Sequence, residues 1–268
     1  MIGQTAILIA VLALLGCVPV HGYLVPGSWT TVNSTFTPRD KHSLACVGNE
    51  LFIYGGRESA SILTDTMFKY SVDTKSYSQV FADAPNPIFG TNMFQIGKYL
   101  YQFGGQTDPT SMTSDMWRYD TVRNTWREVV KNGAAWPPSS AKFGGVERGQ
   151  YFDIFLGVTN QGLTNEVWSF SGATETWTLA HAGANETLAG PSARFDPCCT
   201  YVPLSDKTYC WGGTDAYGDR DDMWVFNHVT NVWSLMSTTG DAPSPRRLAV
   251  CSLLLTNSAT APRIAIHS

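Results

Sequence analysis

The chain has 268 residues, of which 43% are hydrophobic and 15% are charged, and its formal net charge is −4. This composition is too apolar for a disordered chain, and 24 glycines and 14 prolines argue against a helical bundle. Because acidic residues outnumber basic ones, the sequence offers no excess of positive charge for nucleic acid, and we expect no nucleic-acid partner.

The first segment, residues 1–22, has the features of a secretory signal peptide. Its apolar run at 6–15 is too short to span a bilayer comfortably, and small residues precede a plausible cleavage point before Tyr23. We therefore expect a secreted, extracellular protein whose mature part is 23–268. A buried N-terminal strand and a lipid anchor at Cys17 are the alternatives. No later apolar run is long enough to predict a transmembrane segment.

Two Asn-x-Ser/Thr triplets begin at Asn33 and Asn185, and both are predicted glycosylation sites in a secreted eukaryotic protein. Removal of 1–22 leaves five cysteines: Cys46, Cys198, Cys199, Cys210 and Cys251. No pair of Cys-x-x-Cys motifs is present, so we expect one or two disulfides and no zinc site. The odd number predicts at least one cysteine that is unpaired or bonded outside the chain.

An internal repeat is the strongest signal in the sequence. Four aromatic pairs recur with their members nine residues apart: Phe68 and Tyr77, Trp117 and Trp126, Trp168 and Trp177, and Trp224 and Trp233. Three pairs follow an apolar stretch that ends in two glycines, namely Gly55-Gly56, Gly104-Gly105 and Gly212-Gly213, whereas the third copy keeps one, Gly157. An acidic residue stands two positions before each Trp that begins a pair: Asp115, Glu166 and Asp222. Recurrence in phase with the repeat predicts a structural role for these carboxylates.

Each unit contains four short apolar stretches and no long helical periodicity, which predicts a four-stranded sheet. In 51–54 both alternating faces are apolar, so the sheet must be covered on both sides, as in stacked repeats. The glycine pair allows positive φ and close approach of a neighbouring aromatic ring.

Strand, Gly-Gly, loop, Trp-x-Tyr and Trp together resemble the kelch repeat, whose blades build β-propellers. The family's Arg-containing opening is present at Arg39, Arg194 and Arg246 and absent from the second and third copies. The resemblance covers about 29–255 and implies an all-β, kelch-type β-propeller with four complete four-stranded blades and a partial blade. We expect repeats at about 36–80, 81–129, 130–180 and 181–236, with a partial repeat at 237–268.

The number of repeats leaves two interpretations open. Kelch-type propellers usually have more blades, and Trp29 looks like part of a strand donated to the last blade. Either the chain is a truncated propeller, which we favour, or it forms an open or five-bladed ring. In a propeller, Cys199 and Cys251 would occupy equivalent innermost strands. A bridge between them is possible, as is a cross-strand link from Cys198 or Cys199 to Cys210.

The sequence gives little sign of catalysis. An enzyme with a related architecture, of the galactose-oxidase type, would need copper held by two His and two Tyr. The histidines of the mature part, His42, His181, His228 and His267, show no metal-ligand spacing. The acidic stretch 219–222 lacks the spaced ligands of a calcium loop. We expect no catalytic residues, metal or cofactor, and the alternative is a divergent, copper-dependent oxidoreductase of the galactose-oxidase kind.

Function is then expected in the loops between the repeating strands, because they are polar and dissimilar from copy to copy. Arg57, Asp108, Tyr217 and Arg220 are the candidate binding residues, since Arg and Tyr often anchor interfaces. We expect a non-catalytic binding or scaffold module of a secreted or cell-surface protein, with a protein or glycan partner. A cytoplasmic adaptor is a third possibility.

Overall fold

The computed structural model describes residues 37–59, 62–131, 135–183, 190–241, 243–254 and 263–267. The predicted signal peptide, Trp29 and both predicted glycosylation sites, Asn33 and Asn185, lie outside these residues, so they remain predictions. Within the described ranges, no helix has the length and apolar character needed to cross a membrane.

The chain divides into two compact units. The first comprises the described residues of Met1–Ser111 together with Asp115–Glu128. Its strands are β1 (Ser43–Val47), β2 (Glu50–Tyr54), β3 (Arg57–Ser59), β4 (Ile62–Leu63), β5 (Met67–Ser71), β6 (Ser76–Val80), β7 (Met93–Ile96), β8 (Tyr99–Phe103), β9 (Met116–Asp120) and β10 (Thr125–Glu128). They form two four-stranded antiparallel sheets, β1-β2-β5-β6 and β7-β8-β9-β10, and the small β3-β4 hairpin.

The second unit comprises Met112–Ser114 and the described residues of Val129–Ser268. Its strands are β11 (Ser140–Ala141), β12 (Gly144–Arg148), β13 (Tyr151–Phe155), β14 (Val158–Thr159), β15 (Gly162–Leu163), β16 (Val167–Ser171), β17 (Thr176–His181), β18 (Cys198–Val202), β19 (Lys207–Trp211), β20 (Thr214–Asp215), β21 (Gly218–Asp219), β22 (Met223–Asn227), β23 (Val232–Met236), β24 (Val250–Leu254) and β25 (Arg263–His267). A short 3₁₀ helix covers Pro203–Ser205.

The sheets of the second unit repeat the pattern of the first. Two four-stranded antiparallel sheets, β12-β13-β16-β17 and β18-β19-β22-β23, stand beside the two-stranded β24-β25 sheet. The predicted all-β fold, with four four-stranded blades and one partial blade, is therefore confirmed for the described residues. Each second strand is followed by a glycine turn and, in three copies, by a hairpin in a segment predicted as loop: β3-β4, β14-β15 and β20-β21. The β14-β15 hairpin pairs in addition with β11.

Apolar side chains cover the sheets on both faces. In β2 the four residues from Leu51 to Tyr54 are all buried, which matches their unbroken apolar character. One core cluster of the first unit joins its two sheets through Phe52, Tyr54, Leu100 and Tyr119. In the second unit, Phe155 and Val167 pack in one cluster with Phe226 and Trp233. Stacking of one sheet on the next thus supplies the core within each unit.

The Gly-Gly turn has a specific steric requirement. Gly55 has a φ of 68° and Gly56 a φ of 94°. A Cβ on Gly55 would lie only 2.5 Å from the carbonyl oxygen of Ile88, and Gly56 donates its N–H to that oxygen at 2.8 Å. Glycine therefore both permits the left-handed backbone and leaves room for the start of the following repeat.

Candidate functional site

The candidate site is the β20-β21 hairpin of the second unit, which follows the turn at Gly212-Gly213. Thr214 exchanges both backbone hydrogen bonds with Phe195, at 2.9 and 3.0 Å, so the base of the hairpin is paired to the start of the same repeat. The hairpin itself pairs Thr214 with Asp219 and Asp215 with Gly218. These pairings fix the direction in which residues 216–217 project.

The buried carboxylate of Asp215 stabilises the hairpin by accepting hydrogen bonds. Its side chain is 2% exposed, and its Oδ2 accepts hydrogen bonds from Arg220 Nε at 2.6 Å and Ser192 Oγ at 2.7 Å. Its Oδ1 accepts the backbone N–H of Tyr217 at 2.8 Å. Burial raises the pKa of Asp215, but the hydrogen bonds from Arg220, Ser192 and the Tyr217 backbone, together with the charge of Arg220, outweigh burial and hold that pKa at about 2. The carboxylate is therefore ionised and anchors both candidate residues.

Tyr217 and Arg220 meet at the surface. Tyr217 is 81% exposed, and the Arg220 guanidinium carbon lies 5.8 Å from the centre of the Tyr217 ring. The hydrogen bond with Asp215 raises the pKa of Arg220, so this side chain stays charged. The hairpin thus presents an aromatic ring beside a fixed cation, two groups that are enriched where proteins bind one another.

The other two candidate residues, Arg57 and Asp108, belong to the first unit and make local contacts. Arg57 donates from Nε to Asp40 Oδ1 at 2.9 Å, and it lies 5.3 Å from the centre of the Phe89 ring. The Asp108 carboxylate accepts the backbone N–H groups of residues 110 and 111 at 2.8 Å, which closes its own turn. Hydrogen bonds from residues 111 and 110 hold the pKa of Asp108 at about 2.

Two of the acidic residues that precede the tryptophans, Glu166 and Asp222, make structural contacts, as predicted. Glu166 Oε2 accepts the indole N–H of Trp168 at 2.9 Å, and Asp222 Oδ2 accepts that of Trp224 at 2.7 Å. The Asp222 carboxylate also binds both terminal nitrogens of Arg194, the Arg that opens the same repeat. The second Trp of each pair packs on aromatic rings instead, as Trp126 does on Tyr119 at 5.2 Å, Trp177 on Phe152 at 5.3 Å and Trp233 on Phe226 at 5.1 Å.

A buried polar cluster of the second unit was not predicted. His228, with a side chain 3% exposed, has its Nε2 2.8 Å from Thr208 Oγ1 and its Nδ1 3.7 Å from Asp153 Oδ2. Arg148 Nε donates to the same Asp153 oxygen at 3.0 Å. Burial lowers the pKa of His228 despite the attraction of Asp153. Its only sequence signal is that His228 follows the Trp-x-Phe strand directly. Across the described residues, no three His, Cys, Asp or Glu side chains are grouped as metal ligands.

Two disulfides lie in the second unit. Cys199 bonds Cys210, its direct partner across β18 and β19, with the Cα atoms 4.1 Å apart. Cys198 bonds Cys251 in β24, with the Cα atoms 5.5 Å apart. The structure therefore joins Cys251 to Cys198 rather than to Cys199, because Cys199 is already used within its own sheet. Cys46 of the first unit is disulfide-bonded as well, so the described part of the chain holds no free cysteine and the predicted unpaired cysteine is not found there.

Comparison with known proteins gives the family. The model of the KLHDC2/KLHL20/DRC7 Kelch-repeats domain matches residues 26–196 and 90–259. An N-(sulfonatooxy)prop-2-enimidothioate sulfolyase of Thlaspi arvense is 25% identical over 230 residues, which are 78% of this chain and 65% of the relative. Kelch domain-containing protein 3 of Bos taurus is 25% identical over 229 residues, 80% of this chain and 58% of the relative.

A third relative, the leucine-zipper-like transcriptional regulator 1 homolog of Drosophila melanogaster, is 26% identical over 241 residues, 82% of this chain and 24% of the relative. The chain thus spans less than two thirds of the length of each of these relatives. The family model, in contrast, matches most of the chain. The chain belongs to the kelch-repeat family.

Proposed function

We propose that this kelch domain is a non-catalytic binding module whose β20-β21 hairpin contacts a protein partner. The observation that carries the proposal is the arrangement of two side chains in the hairpin. Exposed Tyr217 lies beside Arg220, and the buried Asp215 carboxylate accepts hydrogen bonds from the Tyr217 backbone N–H and from Arg220 Nε. Membership in a family of binding scaffolds supports a protein partner over a glycan. The proposal is therefore limited to a protein partner.

The hairpin is suited to binding because the Arg220 side chain is already held in one orientation before a partner binds. Asp215 uses the Nε of Arg220, and the described residues give the two terminal nitrogens of Arg220 no hydrogen bond. Those nitrogens keep their donors for an acceptor on the partner. An arginine that is already held in one orientation loses less side-chain entropy on binding than a free one.

We also propose that the protein is secreted or displayed at the cell surface. The support is the signal-peptide pattern of residues 1–22 and the pair of disulfides in the second unit, which persist in oxidising compartments. A reporter enzyme fused after residue 22 should appear in the medium of eukaryotic cells. Retention of the reporter inside the cells would contradict secretion and favour the cytoplasmic adaptor.

The proposal of a non-catalytic role has a direct chemical test. One relative is named a sulfolyase, and the alternative from the sequence is a copper-dependent oxidoreductase. Purified protein should contain copper at far less than one equivalent by elemental analysis, and added copper should produce no oxidation of galactose. Stoichiometric copper or measurable oxidation would overturn the non-catalytic proposal.

The binding proposal is tested by affinity capture with matched variants. The wild type, a Tyr217→Ala, Arg220→Ala double variant and a Val229→Ala control are immobilised, since Val229 is 77% exposed in the same unit but outside the hairpin. We expect proteins captured by the wild type and the control to be reduced about tenfold by the double variant. Equal capture by all three proteins, with unchanged thermal unfolding, would show that the partner does not bind at the hairpin.

A further inference from the structure

A cleft in the first unit contains none of the hairpin residues. It has a volume of about 580 Å³ and is lined by Phe81, Ala82, Asp83, Asn124, Thr125 and Trp126. Its two sides come from the segment after β6 and from the turn and first residues of β10. Volumes of about 300 to 1,000 Å³ are usual for ligand sites, so the cleft can hold one large side chain.

The walls of the cleft are fixed by the core behind them. Trp126 packs between the rings of Tyr54, at 5.1 Å, and Tyr119, at 5.2 Å, and it lies against the main core cluster together with Ala82. Asn124 spans the cleft: its Nδ2 donates to the Phe81 carbonyl oxygen at 3.1 Å, and its Oδ1 accepts from the Tyr119 hydroxyl. The site is therefore preformed.

The chemistry of the lining is aromatic and anionic. Phe81 is 77% exposed, so a ring face is open to a ligand. Asp83 is exposed and forms no ion pair among the described residues. No lining residue is a cation, and Arg123, on the adjacent turn, is directed at Asp120, with 3.4 Å between Nη1 and Oδ2. An open ring beside an unpaired carboxylate favours a cationic ligand over an anionic one.

We propose that this cleft binds an arginine side chain of a partner protein. A planar guanidinium can stack on the Phe81 ring while its N–H groups donate to the Asp83 carboxylate, a combination that a lysine ammonium matches less well. This proposal shares one assumption with the proposed function, namely that the partner is a protein. It uses a different unit and different residues, so either can fail while the other holds.

The test uses the full chain, labelled with ¹⁵N, and a blocked Gly-Arg-Gly tripeptide as the probe. We expect the Asn124 side-chain amide and the Trp126 indole N–H signals to shift and to saturate at about 1 to 10 mM peptide, with weaker binding at high salt. Blocked Gly-Lys-Gly should bind at least threefold more weakly, and the uncharged citrulline analogue should cause no saturable shift.

Variants separate this site from general attraction to an acidic protein. Phe81→Ala and Asp83→Asn should each weaken binding of the arginine peptide at least threefold. Val122→Ala, exposed on the same turn but outside the lining, and Asp241→Asn, exposed in the other unit, should leave it within twofold. Equal binding of the citrulline or lysine peptide, absence of shifts at Asn124 and Trp126, or equal effects of all four variants would overturn the proposal.

Discussion

Arg194 and Asp222, which are 28 residues apart, form a bidentate ion pair that links the start of the fourth repeat to the residue before its strand β22. The Arg194 side chain is 3% exposed, and its Nη2 lies 3.0 Å from Asp222 Oδ2. Arg194 also donates to the carbonyl oxygen of Gly212 at 3.1 Å. In the first repeat Arg39 makes the same bond to Gly55, at 3.2 Å, and reaches Thr66 Oγ1 where the fourth repeat has the aspartate.

Replacement of Asp222 by alanine should destabilise the fold strongly. The change leaves the Arg194 guanidinium buried without its anion and removes the acceptor of the Trp224 indole, so we expect a loss of about 3 kcal/mol in the free energy of unfolding. Chemical denaturation measures it. Asp221→Ala, which removes an exposed carboxylate next in sequence, should change the same quantity by less than about 0.5 kcal/mol. Equal effects would refute the structural role of Asp222.

The buried carboxylate of Asp215 should make stability depend on acid. Its pKa in the fold is about 2, below the ordinary 3.8, so the unfolded chain binds the proton more readily. The stabilisation is complete above about pH 4 and is lost as the pH falls toward 2. Unfolding free energies measured from pH 5 to pH 2 should fall less steeply in Asp215→Asn than in the wild type. Parallel curves would contradict the assignment.

His228 should give a second pH dependence, closer to neutrality. Burial holds the pKa of His228 below its ordinary 6.5, so the unfolded chain takes up a proton that the fold resists. Stability should therefore decline as the pH falls through 6.5 toward the lower value in the fold. Urea denaturation between pH 7.5 and 5 should show this decline in the wild type and a smaller one in His228→Gln. A decline of the same size in both proteins would exclude His228 as its source.

The two disulfides should differ in their contribution to stability. Cys198 and Cys251 close a loop with a separation of 53 residues, whereas Cys199 and Cys210 are separated by 11. Loop-closure entropy gives about 4 kcal/mol for the longer loop and about 3 kcal/mol for the shorter. Paired Cys→Ser variants, compared by denaturation, should follow that order. In the variant without Cys198 and Cys251, amide exchange should also increase mainly in β24 and β25, and uniform exchange would argue against this tether.

The framework of the fold could be predicted from sequence because each of its parts has a local pattern. Alternating and doubly apolar stretches mark the strands, and Gly55-Gly56 marks the left-handed turn. The second Trp of a pair marks ring contacts, as Trp126 packs on Tyr119 of its own sheet and on Tyr54 of the neighbouring sheet. The structural role of Asp222 could be predicted as well, since it recurs in phase with the repeat. Each of these signals lies within a few residues.

The candidate site could be predicted only in part. Tyr217 and Arg220 stand out in a polar loop, but the burial of Asp215 beneath them depends on Ser192, 23 residues earlier. The pairing of Cys198 with Cys251 could not be predicted from the sequence either. Adjacent residues of a strand point to opposite faces, and only the register of β18 and β19 decides which of Cys198 and Cys199 lies opposite Cys210. Arg57 and Asp108 have the right residue types, but their local contacts are visible only in three dimensions.

The measurement that tests the binding proposal most directly is site-specific photocrosslinking. A benzophenone amino acid is placed at position 217 of the hairpin or at position 229, where Val229 is 77% exposed outside both the hairpin and the cleft. Position 217 should give one dominant protein adduct that Arg220→Ala greatly reduces, whereas position 229 should not give that adduct. The same adduct from both positions, or an adduct at position 217 that Arg220→Ala does not reduce, would contradict partner binding at the β20-β21 hairpin.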